Sequence, residues 1–136
     1  MRPILCSTLP LFLALAGCNG GSPQVPVFPA EGKILFDGKP PAGAQVIFHP
    51  VGKAGSEVVR PTGQVDSTGK FTLTTYAAND GAPEGDYQVT VEWWIAKNDN
   101  PAVNQLPARY RQTQTSGLQA KITPGENQLP VFKLTR

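Results

Sequence analysis

Apolar alternation, cut every few residues by glycine or proline, is the feature that most limits what this chain can fold into. In Lys70-Phe71-Thr72-Leu73-Thr74 and in Asp86-Tyr87-Gln88-Val89-Thr90-Val91-Glu92, apolar side chains fall on every second position, the period of a half-buried strand. No ten-residue window carries a convincing amphipathic helical pattern. The 14 glycines and 14 prolines are about a fifth of the 136 residues, against roughly 12% in average usage. That content breaks long helices and favours short strands joined by turns.

Seven strands are expected, centred on residues 32–36, 45–49, 64–65, 70–75, 86–93, 118–122 and 129–134. Asp37-Gly38, Asp66-Ser67-Thr68-Gly69 and Thr123-Pro124-Gly125-Glu126-Asn127 supply turn chemistry between them. The second of these predicts a hairpin joining residues 64–65 to 70–75. Together the runs predict an all-β, seven-stranded antiparallel sandwich. Parity assigns the core to Ile34, Phe36, Val46, Phe48, Phe71, Leu73, Tyr87, Val89, Val91, Leu118, Ala120, Ile122, Phe132 and Leu134. Their neighbours across the pleat are mostly Lys, Thr, Gln and Glu, so one face is expected to be dry and the other wet.

The start of the chain reads differently. Met1-Arg2-Pro3 precedes an apolar run from Ile4 to Ala16, which has the form of a secretory leader and is too short for a membrane-spanning helix of about 20 residues. Leu15-Ala16-Gly17-Cys18 resembles the lipobox of bacterial lipoproteins. The resemblance implies that residues 1–17 are removed, that Cys18 is lipidated, and that the chain is exported and anchored to the bacterial envelope, at an outer or periplasm-facing membrane. Cys6 would leave with the leader, so no disulfide is expected in the mature chain. Residues 18–29 read as lipidated end and tether, and residues 30–136 as the folded domain.

Chemistry-bearing residues are sparse. His49 is the only histidine, and its outward parity beside Pro50 predicts a surface position. Zinc would need further ligands. Neither a G-x-S-x-G elbow, a P-loop nor an H-E-x-x-H motif occurs, so no catalysis and no cofactor are expected. The net charge of +2 is too small and dispersed for nucleic acid. Asn79, Asp80, Glu84 and Asp86 could approach a calcium site, but Asn-Asp-Gly and Pro-Glu-Gly are ordinary turn chemistry, and no metal site is predicted.

The Trp93-Trp94 pair carries more information. Parity sends Trp93 inward and Trp94 outward. The segment from Ile95 to Gly117 is expected to fold over Trp94; left uncovered, the indole would be open to a partner protein or a sugar ring. That segment is long, poor in strand signals and positively charged through Lys97, Arg109 and Arg111. Segments of this kind are usually functional or mobile. Trp94, Tyr110, Arg109 and Arg111 are therefore the candidate partner contacts.

Across residues 30–136, Gly32-Lys33, Asp37-Gly38-Lys39-Pro40, Gly43-Ala44, Val46, Phe48, Pro50, Thr68-Gly69-Lys70-Phe71, Leu73 and Gly81-Ala82-Pro83-x-Gly85-Asp86-Tyr87 form a pattern. It resembles the carboxypeptidase regulatory-like, transthyretin-like domain of small bacterial envelope lipoproteins. The resemblance implies a Greek-key sandwich and a structural or binding role for protein or glycan, or service as an accessory domain to a separately encoded peptidase. Hydroxyisourate hydrolases share the transthyretin-like fold, but their several histidines and terminal Tyr-Arg-Gly-Ser are missing here. Tyr110-Arg111 continues into Gln112-Thr113 instead, so a small hydrolase is the weaker reading.

Overall fold

The alternating runs become strands because an extended backbone puts their apolar positions on one side. A computed structural model describes residues 24–53, 55 and 58–136; the expected leader and Cys18 lie outside the described residues. The strands are β1 (Val27–Phe28), β2 (Ala30–Phe36), β3 (Gln45–Pro50), β4 (Thr62–Gln64), β5 (Lys70–Thr72) and β6 (Ala82–Pro83). They continue with β7 (Gly85–Glu92), β8 (Trp94–Ile95), β9 (Val103–Asn104), β10 (Leu118–Ile122), β11 (Asn127–Gln128) and β12 (Phe132–Leu134). Among the described residues one 3-10 turn, Ala108–Arg111, interrupts this all-β order.

Strands β10, β7, β3 and β4 form one antiparallel sheet in that order. The second sheet is built on β2. Its Ala30 carbonyl and Ile34 amide bond toward β5, while the Pro29 and Glu31 carbonyls accept from Asn127 and Leu129. Both β11 and β12 run parallel to β2, with Phe132 opposite Ile34 and Leu134 opposite Phe36. The expectation of a wholly antiparallel sandwich is corrected here. Nearly the whole domain separates β2 from β12, so no tight turn dictates their relative direction. The expected strand over 129–134 shortens to Phe132–Leu134, because Pro130 has no N–H to continue a ladder.

The expected hairpin around Asp66–Gly69 turns a corner instead. Its arms join through the Thr62–Thr74 bridge, yet β4 pairs with β3 and β5 pairs with β2. One turn thus ties the two sheets together at an edge. Between the sheets, Phe48 tilts against Phe71 at 6.3 Å between centroids, and Phe71 stacks on Phe132 at 6.2 Å. Every residue that parity assigned to the core is buried except Leu118, which is only partly covered. It begins β10, an edge strand. Ala44, Leu106 and Tyr110 join the core from outside the alternating runs.

The N-terminal boundary also moves. Val27 and Phe28, placed in the tether by sequence, pair with Pro83 and Ala82, and Phe28 packs against the core. Gly81 makes this possible: its φ is +104°, and a Cβ there would overlap the Phe28 carbonyl. Gly81→Ala is therefore expected to destabilise the fold by roughly 3 kcal/mol or more. Gly43, with φ +88° and open space around it, should cost about 1 kcal/mol as Gly43→Ala. Urea unfolding of the two variants checks this, and equal costs would contradict the clamp.

Candidate functional site

Strand β7 ends at Glu92, and the two tryptophans that follow take opposite sides, as parity requires. Trp93 turns toward the core, edge-on to Phe36 at 6.4 Å, and its Nε1 donates to the Ala42 carbonyl at 2.9 Å. Its backbone amide donates to Asn104 Oδ1, also at 2.9 Å. Trp94 turns outward and is 49% exposed. Its Nε1 donates to Glu92 Oε2 at 3.1 Å, and the Arg111 guanidinium lies 5.7 Å from the ring centroid.

The expected cover over Trp94 forms only in part: Arg111, from the segment that follows, lies over the ring, and the residue stays half-exposed. The segment begins as a small hairpin, with Trp94 opposite Asn104 and Ile95 opposite Val103. Strand β9 adds beside β8 in the plane of the ribbon and gives the indole a neighbour at its edge, so among the described residues the only group over its face is the Arg111 guanidinium. Asn98 supports the hairpin's turn with φ 55°. Asn104 Oδ1 also accepts from the Leu106 amide at 3.2 Å, fixing the point where the chain leaves the hairpin. Val103 is left 60% exposed.

The four candidate contacts therefore separate into two pairs. Trp94 and Arg111 lie together at the surface. Tyr110 does not join them: it is only 5% exposed, and the sequence expectation of a surface anchor is corrected. Its hydroxyl accepts from the Thr135 amide at 2.9 Å and donates to the Thr135 carbonyl at 3.1 Å. Arg109 lies over the Tyr110 ring at 4.6 Å and donates to the same hydroxyl and carbonyl. Burial works to raise the Tyr110 pKa, but the hydrogen bonds with Thr135 and Arg109 outweigh it and hold the phenol below its usual value. This pair fastens the C-terminal residues to the 3-10 turn.

His49 is half-buried, where a surface position was expected. Its Nε2 lies 2.8 Å from Thr90 Oγ1, and Thr90 is buried although it sits on the outward face of β7. Burial, and then the nearby Arg60 charge, lower the His49 pKa below 6.5. Asp80 accepts from the amides of Thr75, Tyr76 and Ala77 at 2.7, 3.0 and 2.9 Å. Burial works to raise its pKa, and these hydrogen bonds more than offset that effect. The carboxylate closes a turn. Among the described residues, no three His, Cys, Asp or Glu side chains are placed to hold a metal ion.

A groove that sequence reasoning missed, of about 750 Å³, opens at the edge where β4 meets β5. It is lined by Gln45, Thr62, Gln64, Asp66, Lys70 and Thr72 among others. Apart from Asp66, which belongs to the turn, each is an ordinary outward strand residue that nothing in the sequence marks. Only the corner between the sheets gathers them. No helix among the described residues is long and apolar enough to cross a membrane.

The lowered His49 pKa sets a pH dependence. Because the folded ring resists protonation, the unfolded chain takes up a proton first as pH falls below 6.5. The stability that neutral His49 contributes is present above that pH and is lost as pH falls through the folded value. His49→Gln should flatten this part of the profile when urea unfolding is followed from about pH 7.5 to 5. Parallel profiles for wild type and variant would contradict the assignment.

No protein-family model matches this chain, and no curated protein matches it either.

Proposed function

We propose that this is an exported lipoprotein held at a bacterial envelope membrane through Cys18. Its seven-stranded Greek-key sandwich of transthyretin-like type serves as a non-catalytic binding module for an envelope protein or glycan. The all-β architecture, with two four-stranded sheets and two short ribbons, supports the fold assignment, and the basic start with its apolar run and lipobox-like end supports the anchor. The observation that carries the binding role is Trp94, a large indole left half-exposed on a short hairpin. Arg111 near its ring and Glu92 at its Nε1 hold it in one orientation. An oriented Trp beside an Arg is the composition of an interface hot spot. Val103, exposed on the same hairpin, favours a protein partner over a glycan.

Crosslinking of the anchored protein in intact cells, followed by identification of its neighbours, tests this reading. Trp94→Ala should remove the dominant crosslinked species, a loss of at least about tenfold in capture for a hot-spot residue. Folding stability should change by no more than about 0.5 kcal/mol, since the side chain is exposed. Capture of a peptidase would identify the accessory version of the role. Unchanged crosslinks in the variant would contradict it.

A further inference from the structure

A second groove, of about 550 Å³, lies at the pole where the N-terminal segment enters the fold. Val25, Pro50, Val51, Val58, Val59 and Tyr76 supply its apolar lining. Val51 is 55% exposed, Val25 50% and Tyr76 37%. These exposed apolar groups come from separate parts of the chain and are brought together by pairing. The Val51 amide donates to the Asp86 carbonyl at 2.9 Å, and the Val25 amide donates to the Tyr76 hydroxyl at 3.3 Å. Lys53, Glu84 and Asp86 bring charge to the same lining.

The position of this groove follows from the connectivity. Strand β1 is pinned to β6, so the chain emerges at this pole. Residues 19–24 separate Val25 from Cys18, and seven residue steps span at most about 25 Å. Strand β7 starts at the same pole and runs eight residues away from it, or about 27 Å at strand rise. The Trp94 hairpin follows at its far end. A chain anchored at Cys18 thus has the apolar groove within reach of the lipid and Trp94 at the opposite pole.

We infer that this groove rests on a zwitterionic lipid surface, an inference that depends on the proposed lipidation of Cys18. Val25, Val51 and Tyr76 enter the interfacial layer, where a Tyr ring is at home with its hydroxyl wet. Lys53 meets headgroup phosphate, and Glu84 and Asp86 meet the positively charged headgroup ammonium. The mixed charge of the rim is what separates a zwitterionic surface from an anionic one, which would be repelled by the two carboxylates. The second contact turns a flexible attachment into an oriented one, holding the Trp94 pole outward.

The test uses the full lipidated chain, in which acylated Cys18 leaves no free thiol. Val51→Cys at the groove and Val103→Cys on the far hairpin are each labelled with a small fluorophore. The proteins are then reconstituted in phosphatidylcholine vesicles containing a headgroup spin label. Quenching at position 51 should exceed that at position 103 by at least about twofold, given the shallow depth that interfacial side chains reach. Equal quenching at the two positions in vesicle-bound protein would overturn the docking and leave the anchor standing. Wild-type protein that fails to float with vesicles, as Cys18→Ser should fail, would overturn the anchor and the docking with it.

Discussion

Phe71 is the side chain on which both sheets close. It sits against two strands whose facing positions carry no side chain. A Cβ at Gly32 would come within 2.6 Å of its ring, and one at Gly63 within 3.1 Å. Gly32 belongs to the second sheet and Gly63 to the first, so one phenyl ring fills space that both sheets vacate. From there the aromatic contacts continue to Phe132 on one side and through Phe48 to Tyr87 on the other. The Tyr87 hydroxyl donates to the Pro83 carbonyl at 2.6 Å, and burial pushes its pKa up to about 12. This buried phenol leads from the aromatic core to the pole where β1 and β6 meet.

The rest of the architecture follows from that closure and separates two poles. One pole gathers the entry of the N-terminal segment, the β1–β6 pair and the turn closed by Asp80. The other gathers the Trp94 hairpin, the 3-10 turn and the last residues of the chain, fastened by Tyr110 and Arg109. The long strands β3 and β7 run between them. Exposed apolar side chains lie at both poles, with Val25, Val51 and Tyr76 at one and Trp94 and Val103 at the other. Such a division suits the proposed role, in which an anchored domain meets lipid at one pole and a partner at the other.

Most of the core was legible because alternation determines which side of a strand faces inward once one strong residue is placed. Phe71 implied Leu73, and Val89 implied Tyr87 and Val91. Parity also separated Trp93 from Trp94. What it could not supply was partner choice. Nothing in Phe132-Lys133-Leu134 states that its neighbour is β2 or that the pairing is parallel. Nor could it reveal residues buried by later packing, such as Thr90 under His49 or Tyr110 in a short 3-10 turn. Tyr110 looked like an exposed aromatic because it lies in a segment without strand pattern; the hydrogen bonds to Thr135 that bury it cross 25 positions in sequence. The outward turn of Trp94 was legible, while its approach to Arg111 and the two grooves arise only when separate parts of the chain are brought side by side.

The central claim is that the anchored domain works from two opposite poles. Hydrogen–deuterium exchange compares the lipidated protein in native envelopes with the purified Cys18→Ser protein in solution. Slower exchange at the amides around Val51 and along the Trp94–Asn104 hairpin, with the strands between them unchanged, is the predicted result. Identical exchange at both poles in the two states, or protection confined to the β4–β5 edge, would contradict the account.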